Sequence, residues 1–593
     1  MKIIQKIFIF LILSALMYSC ANRGMGPQGG KKDETPPRML RSVPQNGATD
    51  FKGNRVEIHF DELFAIRQAS ENVIFSPPQL LSPTVVVAGR TLRITFNDEM
   101  QPNTTYTIDF GDAIEDSNER NRLPNFVFSF STGNSIDSLQ ISGTVLNAAD
   151  LNPAANVLVG IHSNLTDTAF IKIPFLRVSK TDEMGNFRLT NMPEGTYQIF
   201  ALRDRNRSFT FDNPTEDIAW KDSLVTPSFT IVEKFDTLWK DTLTIDTVFH
   251  RKKTEFEPKN LILRLFNEDF KRQFLVKSER TARTARFFFN APQAELPKIA
   301  AVNFDINSVL LQASAKNDSL TFWLKDSLTM QKDTLKWQIT YPRTQLSGKD
   351  SIVTENVNLT LRGRQASKTE ITPLQFKNNI TGNLGANTEI VLTFEEPVLE
   401  IKPSGVHLFQ RKDTLWVETP ASLEAIDDIM RFRLNAGLQP GERYKLQLDS
   451  AAVTSIFGNE NVKFESLFKL RDLSEYAVLI VTLPPAFPEA FEGNAVLQLM
   501  SASDAVVKTQ KADEEETIIE FIEPGTYFLR LFIDENKNGV WDTGNFARRQ
   551  QPEAVYYFHE SIQLRANWDV EVEWVEFKPI MEQKPETLRK VIK

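Results

Sequence analysis

The sequence predicts an all-β chain of tandem antiparallel β-sandwiches with an A-B-linker-A-B internal duplication. Three observations carry this expectation. Apolar residues recur with period two in short runs, 44 phenylalanines favour strands over helices, and distinctive motifs return once at a long offset. At 593 residues the chain exceeds what one core supports, so several domains of roughly 100 residues each are expected. Its composition, 41% hydrophobic and 24% charged, is that of a folded protein rather than a disordered one. The net charge is −9 and no basic block occurs, a balance that repels phosphate backbones, so no nucleic-acid partner is expected.

The first element is a signal segment, residues 1–19. Lys2 and Lys6 give a basic start, Ile7 to Met17 an apolar run too short to span a bilayer, and Ser19 a small residue before Cys20. Cys20 is the chain's one cysteine, which therefore has no internal disulfide partner. This layout resembles a bacterial lipobox, with Met17 where such patterns prefer Leu. The resemblance implies lipidation at Cys20 and a membrane anchor, made stable by two or more acyl chains. Residues 20–37, rich in Gly, Pro and charge, read as a flexible tether. Gly24, Gly26 and Gly29 spell a dinucleotide-binding pattern by chance, since neither strand nor helix flanks them. Ala21 after the cysteine resembles outer-membrane sorting, and Lys31 to Glu34 a surface-export cluster, leaving the periplasmic or surface face open.

The strands follow. Val56, Ile58 and Phe60 alternate with polar residues, as do Leu92, Ile94 and Phe96, then Tyr106, Ile108 and Phe110, then Phe126, Phe128 and Phe130. Each run places its apolar residues on one face, as half-buried strands require. These motifs repeat. Val56–Glu62 returns as Ile390–Glu396, Gln101-Pro102 with Tyr106 as Gln439-Pro440 with Tyr444, and Phe126/Phe130 as Phe464/Phe468. Gly195-Thr196-Tyr197 with Asp204, Asn206 and Asp212 returns as Gly525-Thr526-Tyr527 with Asp534, Asn536 and Asp542, every member offset by 330.

The A modules, residues 38–133 and 366–472, resemble the bacterial Ig-like domain of S-layer and Bacteroidota surface proteins. The likeness rests on the Phe-acidic-acidic strand ends, Met100–Tyr106 and the closing Phe126–Thr132. The first B module, 134–235, is similar to the carboxypeptidase-regulatory-like β-sandwich through Thr181, Asp182, Gly185, Phe187, Leu189, Met192, Gly195 and Tyr197. The second, 473–578, keeps Gly525 to Tyr527. That family is a non-catalytic accessory, so the likeness implies no peptidase activity. As a whole the chain resembles the Ig-like-domain lipoproteins of Bacteroidota. Residues 236–365 form an unassigned β domain, and 579–593 a C-terminal tail. In the unassigned domain Asp318, Asp326 and Asp333 read as turn residues before strands, and Trp323 and Trp337 as core.

One loop carries candidate chemistry. Asp534, Asn536, Asn538 and Asp542 occupy positions 1, 3, 5 and 9 of an EF-hand-type Ca²⁺ loop, with Gly539 at 6 and the carbonyl of Val540 at 7. Asn545 stands at position 12, where the pattern wants a bidentate Glu. The first copy, Asp204 to Asp212, has Phe209 in place of the Gly and is expected to be an ion-free turn. Enzymatic patterns are lacking: His59, His162, His250, His407 and His559 are scattered, His559-Glu560 lacks a second His, and no nucleophile elbow or phosphate loop occurs. The acidic pairs Asp61-Glu62 and Glu395-Glu396 read as solvated strand edges. The expectation is a non-enzymatic, envelope-anchored scaffold for binding or adhesion to a glycan or envelope protein, its tandem modules extending its reach. The alternatives are an accessory subunit of an outer-membrane assembly or transport complex, and an enzyme with its site in 236–365.

Overall fold

Strict alternation builds the first A module. In the strand Arg55–Phe60 the residues Val56, Ile58 and Phe60 are buried while their neighbours reach the surface, and Leu92 and Ile94 repeat the pattern in Thr91–Thr95. The four-stranded sheet runs Met39–Val43, Arg55–Phe60, Thr91–Thr95, Thr84–Ala88; the facing sheet runs Ile74–Ser76, Thr105–Asp109, Val127–Ser131. One aromatic-rich core lies between them. The computed structural model describes residues 33–590 except 167, 240–244, 269–271, 345–349, 362–371, 427–428, 484–493 and 514–515. The expected signal segment, Cys20 and most of the tether lie outside the described residues.

The second A module repeats this order strand for strand. One sheet runs Phe376–Asn378, Val391–Phe394, Arg431–Ala436, Ala421–Ala425; the other contains Phe464–Leu470, Arg443–Leu448 and Val406–Lys412, with one further strand at each edge. A small detail repeats as well. The Gln101 N–H donates to the Tyr106 hydroxyl at 2.7 Å, and the Gln439 N–H to that of Tyr444 at 2.7 Å. Each tyrosine ring stacks on a phenylalanine, Phe130 or Phe468, at 5.5 Å.

The B modules share a second topology. In the first, Leu139–Asn147 pairs antiparallel with Asn186–Met192 and parallel with Leu261–Leu265, facing a sheet of Arg177–Lys180, Leu158–His162, Gln198–Leu202 and Ile218–Trp220. In the second, Ala477–Thr482 pairs antiparallel with Thr517–Ile522 and parallel with Asp569–Glu573. It faces Val506–Lys511, Ala495–Met500, Gly525–Ile533 and Val555–Tyr557. The first copy carries an extra hairpin, Ser228–Trp239 with Ile245–Glu257, before its last strand. The boundary expected after residue 235 falls inside this arm. Gly143 has a close neighbour across the parallel pair, where an added Cβ would stand 2.2 Å from the Leu261 carbonyl oxygen.

Between the copies, residues 275–360 form a sandwich of two sheets around Trp337, which is fully buried as expected; Trp323, expected in the core, is buried outside it, on the opposite face from Phe322 and Leu324, 6.3 Å from Phe457 of the following A module. Asp318 and Asp333 precede strands as expected, whereas Asp326 caps the short helix Ser327–Gln331, accepting the Thr329 N–H at 2.8 Å.

The second sheets of the B modules break the alternation. Ile199, Phe200, Ala201 and Leu202 are all buried: Ile199 and Ala201 in the module's own core, Phe200 and Leu202 in a second cluster outside it. Likewise Leu529, Leu531 and Ile533 face inward while Phe528 and Phe532 face another cluster. A strand buried on both faces belongs to a layer with something packed on each side. Here each B module covers the other. Phe546 of the second sits 5.4 Å from Phe170 and 5.3 Å from Trp220 of the first, and Leu151 of the first joins the outer cluster of the second. The expectation that tandem modules simply extend reach is thus corrected: the last module returns onto the second, because each has an apolar outer face to cover.

Candidate functional site

The two Asp/Asn-rich loops lie at this junction. In the later loop the Asp534 carboxylate, buried from solvent, accepts the N–H groups of Asn538 at 3.0 Å and Gly539 at 2.7 Å. Asn536 Oδ1 accepts from Asn538 N–H at 3.1 Å, and Asn538 Oδ1 from Val540 N–H at 2.7 Å. Both amide nitrogens, Asn536 Nδ2 and Asn538 Nδ2, converge on Asp542 Oδ2 at 2.5 and 2.6 Å. The five positions expected to act together are therefore in one tight turn. Glu553, absent from the sequence reading, closes it: its buried carboxylate accepts Glu535 N–H and Asp542 N–H, each at 2.9 Å. Burial raises its proton affinity above the ordinary carboxylate range.

The earlier loop has the same build despite its different residues. Asp204 accepts from Arg207 N–H at 2.6 Å and Phe209 N–H at 2.9 Å, and Asn206 Nδ2 bonds both Asp212 oxygens at 3.0 and 3.1 Å. Lys537 and Gly539 have φ of 63° and 78°; Arg207 and Phe209, their counterparts, have 62° and 57°. Phe209 thus adopts the left-handed conformation that the loop demands without being glycine, a strain on the order of 1–2 kcal/mol. Glu216 takes the place of Glu553 and accepts Arg205 N–H at 3.0 Å.

Hydrogen bonds from the segment that follows the later loop also hold the modules together. Thr543 Oγ1 donates to the Asn267 carbonyl at 2.5 Å, and Phe546 N–H to Glu268 Oε1 at 2.5 Å. Burial raises the Glu268 carboxyl. Among the described residues no three His, Cys, Asp or Glu side chains gather closely enough to hold a metal ion by themselves. Any cation in these loops therefore draws on Asn side chains and carbonyls as well, which a hard oxygen-seeking ion accepts.

The histidines stay apart. His59 bonds Thr91, and His407 bonds Glu418 at 2.5 Å, which raises its proton affinity; His559 meets its neighbour Glu560 at 3.5 Å. The side chain of His250 lies outside the described set. His162 is buried beside Phe175 and Phe200, lining a cleft of about 410 Å³ between the first A and B modules, and burial holds its imidazole down to about 4. Of the acidic pairs expected to be solvated edges, Glu395 is exposed as expected, whereas Glu396 is half-buried. Asp61 accepts the Arg38 N–H at 2.7 Å. Glu396 accepts Asn459 Nδ2 at 3.0 and 2.9 Å and pairs with Arg283 of the preceding domain, whose guanidinium lies 4.5 Å over Phe457. A half-enclosed carboxylate at a domain joint is costly without a partner, and Glu396 has one.

Residues 33–132 match the bacterial Ig-like domain family. No curated protein matches the chain. Among solved structures it is similar to the N-terminal part of the bacterial S-layer protein SbsC, at 12% identity over 31% of this chain and 43% of that one, TM-score 0.17. Domains 1–6 of SbsC align at 9% identity over 85% of this chain and 66% of that one, TM-score 0.12. Native alpha-2-macroglobulin from Escherichia coli, spanning domains MG0-NIE-MG1, aligns at 12% identity over 32% and 89%, TM-score 0.16. The chain thus spans 43% and 66% of the two S-layer structures. At such TM-scores the fold assignment rests on the family match and on the sheets themselves: an all-β chain of tandem Ig-like and related sandwiches.

Proposed function

We propose that this chain is a non-catalytic scaffold outside the cytoplasm, held to the outer membrane by lipid on Cys20, that presents rigid β-sandwich surfaces to a glycan or envelope protein. One observation supports it most: the second B module is docked onto the first across an aromatic cluster containing Phe170, Trp220 and Phe546. Such closure fixes the modules relative to one another, and loops on a rigid frame suit recognition. The bacterial Ig-like match of residues 33–132 agrees with a place at the cell exterior. No helix among the described residues is long and apolar enough to cross a membrane.

Metabolic labelling with a palmitate analogue tests the anchor: label on the wild type and none on Cys20→Ala is expected. Affinity capture from detergent-solubilised envelopes tests the scaffold. Binding to glycan or cells without a stoichiometric partner supports adhesion, whereas an equimolar barrel protein replaces it with the accessory-subunit role. In the same reading the later loop holds Ca²⁺ through Asp534, Asn536, Asn538, the Val540 carbonyl and Asp542. Calorimetry should show Ca²⁺ binding from which Asp534→Ala removes one site; an Asp534→Ala titration identical to that of the wild type, or a silent wild type, overturns that site.

A further inference from the structure

The earlier loop, which the sequence assigned no ion, carries a feature that the later one lacks. Glu216 has no exposed surface. One of its carboxylate oxygens takes the Arg205 N–H; the other, Oε2, is buried and meets no hydrogen-bond partner. Arg205 sits between Asp204 and Asn206, so this carboxylate stands against the loop at the residues that open it. Burial, and then the charges of Asp204 and Asp212, make its ionised form costly. In the later loop the corresponding Glu553 has both oxygens occupied by backbone N–H groups. A fully buried carboxylate with a free oxygen beside two further carboxylates is expensive unless a proton or a cation compensates it.

We propose that the earlier loop is a second divalent-cation site, a Ca²⁺ site, in which Asp204, Asn206 and Asp212 supply side-chain oxygens and Glu216 the third negative charge. Several observations agree. Oxygen ligands at alternate positions of a tight loop, with amides and carbonyls completing the shell, suit Ca²⁺, which takes six to eight oxygens in irregular geometry. The left-handed backbone at Phe209 matches that at Gly539, so the loop keeps its shape although the residue does not favour it. Both loops adjoin the junction of the B modules, since Phe211 beside Asp212 and Trp541 beside Asp542 pack into its aromatic cluster.

Calorimetric titration of the full chain with CaCl₂ after chelation tests this, with Tb³⁺ luminescence as a second readout and circular dichroism to confirm folding. The wild type should bind two ions, and Asp534→Ala should retain one. Glu216→Gln preserves shape and the bond to Arg205 N–H but removes the charge; it should weaken the earlier site by about tenfold or more. Asp212→Asn, on the exposed side, should do the same without disturbing the core. The proposal is overturned if the Asp534→Ala chain binds no ion, or if Glu216→Gln and Asp212→Asn leave its remaining affinity unchanged. A wild type that binds a single ion, kept in Asp534→Ala and weakened by Glu216→Gln, would instead count only against the Asp534 loop.

Discussion

The two B modules have one strand order and two different surroundings. In the first copy the chain leaves Ile218–Trp220 for a long hairpin arm before returning through Leu261–Leu265. In the second it goes from Val555–Tyr557 through one three-residue strand, Ile562–Leu564, to Asp569–Glu573. The outer face of each central sheet is covered, but by different means. The first is covered by Phe546, reaching over from the later module; the second is covered by Leu151 and by Leu588 of the C-terminal tail. Duplication conserved the sandwich, while the material between strands was free to specialise as arm, clasp or strap. What distinguishes the copies is therefore their connections, and the closed arrangement depends on them.

Removing the clasp should break the comparison most. Phe546→Ala deletes a buried ring packed among aromatic residues of the first copy and should cost about 3–5 kcal/mol of docking energy. Small-angle scattering should show a larger radius of gyration, and the melting profile should separate into more than one transition. Gly544→Ala should act in the same direction, since its Cβ would stand 2.5 Å from the Phe266 ring and 2.8 Å from the Gln550 carbonyl oxygen. An unchanged radius of gyration in both variants would mean that the modules are held together elsewhere.

The strap comes next. Lys584 donates to Asp504 Oδ2 at 2.6 Å and to the Asp150 carbonyl of the first copy at 2.7 Å, with the ion pair almost wholly buried. Burial pulls the Lys584 ammonium below its ordinary range, and the Asp504 bond opposes that. Asp504→Asn leaves a buried cation short of its partner and should destabilise the tail by about 3 kcal/mol. Adding Lys584→Met should recover most of the loss, because the pair as a whole contributes little beyond its own desolvation. Hydrogen exchange over residues 580–590 reads both outcomes.

How much of this was legible depended on which face of a strand carried the information. The A modules announce themselves because each strand has one wet face: Val56, Ile58 and Phe60 alternate, and the same spacing recurs around Phe394. The docking was also written in the sequence, as the unbroken apolar run Ile199 to Leu202 and the dense run Leu529 to Ile533, but such runs do not say what covers them. Phe546 carried no local signal, because its aromatic ring partners, Phe170, Phe200, Phe211 and Trp220, lie more than 300 residues earlier in the chain. The loop residues Asp534 to Asp542 stood out through their spacing. Glu216 and Glu553 did not, being brought in from outside the motif by the turn of the chain. The strand Leu261–Leu265 returns to its sandwich after the arm, and only the parallel register with Leu139–Asn147 reveals that.

A titration should sharpen the difference between copies. Through the pairings His162 with Gln198 and Met500 with Phe528, and the 330-residue offset, His162 corresponds to Met500. The folded first copy holds His162 at about 4, below the unfolded value near 6.5. Between these values the unfolded chain binds the proton and the folded one does not, so stability falls as pH drops through this window. The loss should approach about 2–3 kcal/mol near pH 4. His162→Met should remove that part of the acid sensitivity, as measured by denaturant melts at several pH values. An unchanged slope would show that the acid response arises elsewhere.

The smallest effect belongs at the rim of the same junction. Gln551 Nε2 donates to the Trp220 carbonyl at 3.3 Å and to Asp222 Oδ2 at 3.1 Å, beside the aromatic cluster but within reach of water. Water replaces such bonds readily, so Gln551→Ala should cost only about 0.5–1 kcal/mol. Set beside Phe546→Ala in one double-mutant cycle, the two losses should add within about 0.5 kcal/mol if the rim and the clasp act independently. Coupling well beyond that would mean that the Gln551 bonds form only once Phe546 is seated, making the junction one cooperative unit rather than a core with a replaceable edge.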